Sequence, residues 1–72
     1  MTPAAREKCA QQREFIYEMV GFVRLYAELT QNFLVAGDDV GAAYSIEKMA
    51  VYVREVVKAK IELVEYRHEA PA

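Results

Sequence analysis

Cysteine, proline and glycine are scarce in this chain, and each shortage removes a class of protein. The one cysteine, Cys9, cannot form an intramolecular disulfide, and no zinc-finger spacing exists. A lone thiol suits a reducing compartment. No glycine-rich phosphate loop, G-x-S-x-G or H-E-x-x-H is present. A basic surplus is lacking too: nine Lys and Arg stand against eleven Asp and Glu, for a net charge of −2. The footprint of a general nucleic-acid binder is therefore missing. No uncharged run approaches the ~18 apolar residues of a membrane span. Residues 1–8 do not form a basic stretch followed by an apolar run, so no secretory signal is expected. Together these absences predict a soluble, cytoplasmic protein without cofactor or membrane partner.

Apolar residues are abundant, at 54% of 72 residues, with five tyrosines and three phenylalanines but no tryptophan. That composition argues against disorder. A chain this short buries a modest core and usually needs a staple. With disulfides and zinc excluded, the expected staple is oligomerisation.

Residues 1–72 read as one helical-hairpin domain. Thr2 and Pro3 mark a helix start, a capping hydroxyl followed by a proline at the first helical position. Ala4 to Gln12 forms helix but has a weak apolar period, so this end is expected to fray without a partner. From there Phe15, Met19, Phe22, Tyr26, Leu29 and Phe33 recur at steps of four and three, an a/d seam. One position along runs a second seam of Ile16, Val20, Val23, Ala27, Thr30 and Leu34. The first helix is predicted over about 3–36. A turn at 37–39 follows, in which Gly37 takes the left-handed conformation and Asp38 or Asp39 caps the next helix. So short a connection makes the helices antiparallel. The residues from Gly37 to Ile46, with Ala42 and Ile46 near a small and a large apolar position, resemble the turn of a tetratricopeptide repeat. The likeness covers about a dozen residues, and nothing recurs at the ~34-residue period of such repeats.

The second helix is predicted over about 40–68. It too carries two seams: Ile46, Ala50, Val53, Val57, Ile61 and Val64, and Met49, Tyr52, Val56, Ala59, Leu63 and Tyr66. Its outer face carries Glu47, Arg54, Lys58, Glu62, Glu65 and Glu69, with Val51 as an exception, and Pro71 follows its end. Each rod is ~45 Å long at 1.5 Å per residue. One neighbour hides only one seam per rod, which leaves a large apolar patch in water. The expected architecture is therefore all-α: a long antiparallel two-helix hairpin that dimerises into a four-helix bundle. The seam residues assigned to hairpin core or dimer are Phe15, Met19, Phe22, Tyr26, Leu29 and Phe33, with Met49, Tyr52, Val53, Val56, Val57 and Leu63.

Candidate functional residues fall off these seams. Gly21 is ~1 kcal/mol worse than Ala inside a helix. It is either tolerated on a solvated face or a notch for a close backbone, with Tyr17 and Leu25 one turn to either side. Tyr17, Gly21, Leu25, Tyr44 and Val51 are the candidate partner-binding set, because tyrosines with aliphatic neighbours make good anchors. Leu25 and Val51 are expected at one height in the hairpin. Glu65 and His68 have the E-x-x-H spacing and resemble the iron-binding pair of ferritin-like proteins, which implies a metal site built with a further Glu from a neighbouring helix. Against that stand Glu65 on the charged outer face, the motif's place in the last turn, and the lack of an inward Glu in the middle of helix one. Cys9 and His68 both belong to the open end but lack an oxyanion donor, so neither catalysis nor an enzyme is expected.

Arg6, Lys8, Arg13, Lys60 and Arg67 gather at the open end. In architecture and length the chain is similar to Rop-type hairpin dimers, which implies RNA binding as an alternative. Glu7, Glu14, Glu62 and Glu65 interleave with the basic set and weaken a phosphate-binding field. The function expected first is non-catalytic: a homodimer that binds another, unidentified protein as a regulator, inhibitor or adaptor. Short helical inhibitors of phages and bacteria supply the analogy.

Overall fold

The computed structural model describes residues 2–69, and of Glu69 only the backbone. Two helices account for nearly all of it: α1, Pro3–Val35, and α2, Asp39–Glu69. Pro71 and the Glu69 side chain, placed after and on the second helix by sequence, lie outside the described residues. The α1 start follows from Thr2, whose Oγ1 accepts a hydrogen bond from the Ala5 N–H at 3.1 Å, with Pro3 in the first turn.

The turn is built by local chemistry. Gly37 has φ +72°, and the paired bonds Asp38 N–H to Phe33 O and Gly37 N–H to Leu34 O close α1 in a Schellman arrangement. Asp38 is the cap of the next helix, its Oδ1 accepting from the Gly41 N–H at 2.8 Å. Ala36 is the cap of α1 rather than its last turn, and Asp39 already belongs to α2. Gly41 is pressed from above: a Cβ there would stand 2.6 Å from the Phe33 ring.

Hydrogen bonds between the helices show that they pack antiparallel. Thr30 meets Ser45 near the turn, and Gln12 meets Ala59 and Glu62 near the open end. The result is a rod of 53 × 14 × 12 Å. The inner seam of α2 holds Ala42, Ser45, Met49, Tyr52, Val56, Ala59, Leu63 and Tyr66, a regular three-four alternation of buried and half-buried residues. Six of these form one of the two seams read from the sequence. On α1 the inner seam is Ala5, Cys9, Gln12, Ile16, Met19, Val23, Tyr26, Thr30 and Phe33. It draws in turn on both expected seams, so Phe15 and Phe22 stand at its margin, while Leu29 is half-buried.

Two expectations need correction. The first turns of α1 are not an unsupported end, because Cys9 is 1% exposed and Ala5 and Gln12 continue the seam. Glu62 is not on the outer face either. It is half-buried, and its Oε2 accepts from Gln12 Nε2 at 2.8 Å while the same amide donates to the Ala59 carbonyl. In both places the seam uses a small or polar residue to bring the helices together.

Among the described residues the buried ones are all small: Cys9, Ala42 and Ala59, with the polar pair Thr30 and Ser45. Between them lies an aromatic ladder in which Tyr52 stacks on Phe22 at 4.9 Å and on Tyr26 at 5.7 Å between centroids. Every buried side-chain polar atom among the described residues has a hydrogen-bond partner. No helix among them is long and apolar enough to cross a membrane.

Candidate interaction surfaces

The hairpin leaves two long flanks, and their chemistry differs. One is the second seam of α2. Ile46, Val53, Val57, Ile61 and Val64 are each 42–49% exposed, with half-buried Ala50 among them. Successive helical residues turn by about 100°, which in an antiparallel pair brings Val20, Ala27 and Leu34 of α1 to the same side. This aliphatic flank is dominated by β-branched residues, poor helix formers that lose side-chain freedom against the preceding turn. Five such residues forgo about 2 kcal/mol of helix propensity relative to alanine. On a face that only met water, nothing would offset that cost. The neighbouring outer row of α2, with Glu47, Arg54 and Glu65, is of mixed sign.

The other flank is aromatic and acidic. Phe15 sits beside Gln12, Glu55, Lys58 and Glu62, all lining one shallow depression. One and two turns along α1, Glu18, Gly21, Phe22 and Leu25 line a second, more apolar one. Phe22 and Leu25 are 41% and 47% exposed, and a Cβ built on Gly21 would meet nothing within 4 Å. The glycine thus serves no packing need inside the hairpin. It leaves an open notch, with Phe22 held from behind by the Tyr52 ring.

Of the candidate partner-binding set, Gly21 and Leu25 come together in this notch, and Glu18 and Phe22 join them. Tyr17 is 81% exposed on the same row of α1 but does not line the notch. Val51 is exposed on α2, and exposed Tyr44 lies near the turn with Lys48 Nζ 5.6 Å from its ring centroid. Sequence reasoning missed Glu18 and Phe22 as members, Phe22 having been assigned to the seam of hairpin core or dimer.

The remaining constellations stay apart. Glu65 and His68 are both exposed, and among the described residues no three His, Cys, Asp or Glu side chains cluster as metal ligands would. His68 lines a surface groove with Val64 and Arg67, whereas Cys9 is buried in the seam. At the open end Lys8 lies over the Tyr66 ring, 5.6 Å from its centroid.

No protein-family model, curated protein or solved structure matches this chain. Its function has to be read from the hairpin itself.

Proposed function

We propose that this chain is a non-catalytic helical protein that pairs with a second copy into a four-helix bundle and binds another protein as a regulator, inhibitor or adaptor. The aliphatic stripe of α2 carries the proposal. Its β-branched residues are costly in a solvated helix and sit in an unbroken line, as residues covered by another apolar face do.

The hairpin exposes 5430 Å², against about 4,500 Å² for a compact monomer of this mass, as its 53 × 14 × 12 Å rod shape requires. A reducing, cytoplasmic setting fits the single thiol of Cys9. Binding of a further protein is assigned to the flank that the bundle leaves free.

Light scattering across a concentration series tests the pairing. The expected mass is twice the 8.2 kDa of one chain, and a double Val53→Asp, Val57→Asp variant is expected at the monomer mass with reduced helicity. A wild-type chain that remains a well-folded monomer at high concentration overturns the proposal.

A further inference from the structure

We infer that the notch at Glu18, Gly21, Phe22 and Leu25 receives an amphipathic helix whose apolar stripe is bordered by lysine or arginine. This inference rests on the protein-binding part of the proposed function and names the chemistry of its partner. The floor of the notch is apolar and recessed. Gly21 offers no side chain, nothing would touch a Cβ there, and Phe22 and Leu25 rise beside it. Residues four apart form the ridges along which helices interlock, and Gly21–Leu25 and Glu18–Phe22 are two such rows. A missing side chain between them lets an incoming helix approach closely. This is the geometry of a helix seated in a groove rather than of a small-molecule pocket.

Charge selects among helices. At about 100° per residue, Glu7, Glu14, Glu18 and Glu28 fall on the notch side of α1, together with one cation, Lys8, which lies over Tyr66 two heptads from the Phe22–Tyr52 stack, so the glutamates dominate this side. Across the hairpin, Glu55 and Glu62 border Phe15 on the same flank, with Lys58 between them. The one ion pair among the described residues, Arg24 Nε to Glu28 Oε1 at 4.0 Å, is exposed at both ends and weak. An acidic border steers a cationic partner and repels an anionic one. It also argues against a second copy on this flank, because two copies would bring these glutamates face to face.

The test uses a synthetic helical peptide of about 18 residues, long enough to span ~27 Å of α1. Leucines form its stripe, lysines border it, and a matched peptide carries glutamate at every lysine position. Binding is read by calorimetry on the full chain, with light scattering and circular dichroism on the same samples. The lysine peptide is expected to bind one per protomer, and the glutamate peptide at least tenfold more weakly. Gly21→Gln, which fills the notch with a helix-compatible side chain, is expected to weaken the lysine peptide at least tenfold with helicity and mass unchanged. A Glu14→Lys, Glu18→Lys variant is expected to do the same and to flatten the salt dependence. Equal binding of the two peptides, or binding indifferent to both variants, overturns the inference. So does assembly beyond a dimer that Glu18→Lys abolishes, which would give the notch to another copy. A monomer that binds the lysine peptide at the notch refutes the bundle and leaves this inference standing. A dimer that binds neither peptide does the reverse.

Discussion

Replacing Gly21 by alanine separates an open notch from an occupied one. In a helix interior Gly is less favourable than Ala by about 1 kcal/mol, through backbone entropy alone. That gain is realised only where the added methyl meets no obstacle, and at Gly21 nothing lies within 4 Å. Gly21→Ala is therefore expected to stabilise each protomer by about 1 kcal/mol, which in a domain of this size raises Tm by about 4–8 °C. Thermal unfolding followed at 222 nm (the usual helix band) at one fixed protein concentration measures it, since pairing makes Tm depend on concentration. The sign is what matters. A Tm that is unchanged or lower would mean that another chain already covers Gly21 in the free protein. The assignment of the aliphatic flank to the second copy and of the notch to a different partner would then be reversed.

Three further substitutions probe the hairpin. Gly41→Ala is expected to have the opposite sign to Gly21→Ala, because its Cβ would lie 2.6 Å from the Phe33 ring and 2.8 Å from Asp38 Oδ2; a loss of about 1–3 kcal/mol by urea unfolding is the overpacking cost, and a rise in stability would refute the tight turn. Thr30 and Ser45 share a 2.7 Å contact in which one hydroxyl donates across the seam while the other donates to a carbonyl of its own helix, Tyr26 O for Thr30 or Ala42 O for Ser45. A double-mutant cycle of Thr30→Val and Ser45→Ala is expected to give a coupling of about 0.5–1.5 kcal/mol, and zero coupling would remove the bond across the seam. Leu25→Asp and Val51→Asp, both at exposed positions, are expected to stay within about 0.5 kcal/mol of wild type and keep its mass. Unfolding of either would put that residue in a core.

How much of this was legible differs between the two helices. On α2 apolar residues adjoin at 49 and 50, 52 and 53, 56 and 57, and 63 and 64, yet one of the two seams read from the sequence is the inner seam as it stands, and the other is left largely exposed. On α1 adjacent positions are both apolar at 15 and 16, 19 and 20, 22 and 23, and 26 and 27. Either member of each pair satisfies a three-four alternation, and side-chain size favours the phenylalanines. The structure turns Ile16 and Val23 inward instead, and Phe22 stacks on the Tyr52 ring from the flank. At the open end hydrophobicity was the wrong signal. Stepping back from Ile16 by four, three and four reaches Gln12, Cys9 and Ala5, so the heptad count finds the seam where the apolar count does not. The Glu62 carboxylate then follows as the partner of a seam amide.

The notch was visible in the sequence only as an unexplained glycine, since its meaning depends on what stands around it. A glycine pressed by a neighbour, such as Gly41 under Phe33, is explained by packing, and Gly21 has no neighbour to explain it. The two flanks then divide by chemistry. The aliphatic one carries charge mainly toward the open end, where Lys60 and Arg13 continue the rows of Val53 and Val20, whereas pairing on the other would set its glutamates opposite one another, which is costly. In a two-fold bundle formed through the first flank, the second is displayed twice, once on each protomer. Two notches on one rigid rod would let a partner carrying two cationic helices bind with an effective concentration set by its own linker. Loss of pairing would then weaken capture of such a partner without altering any contact inside the notch.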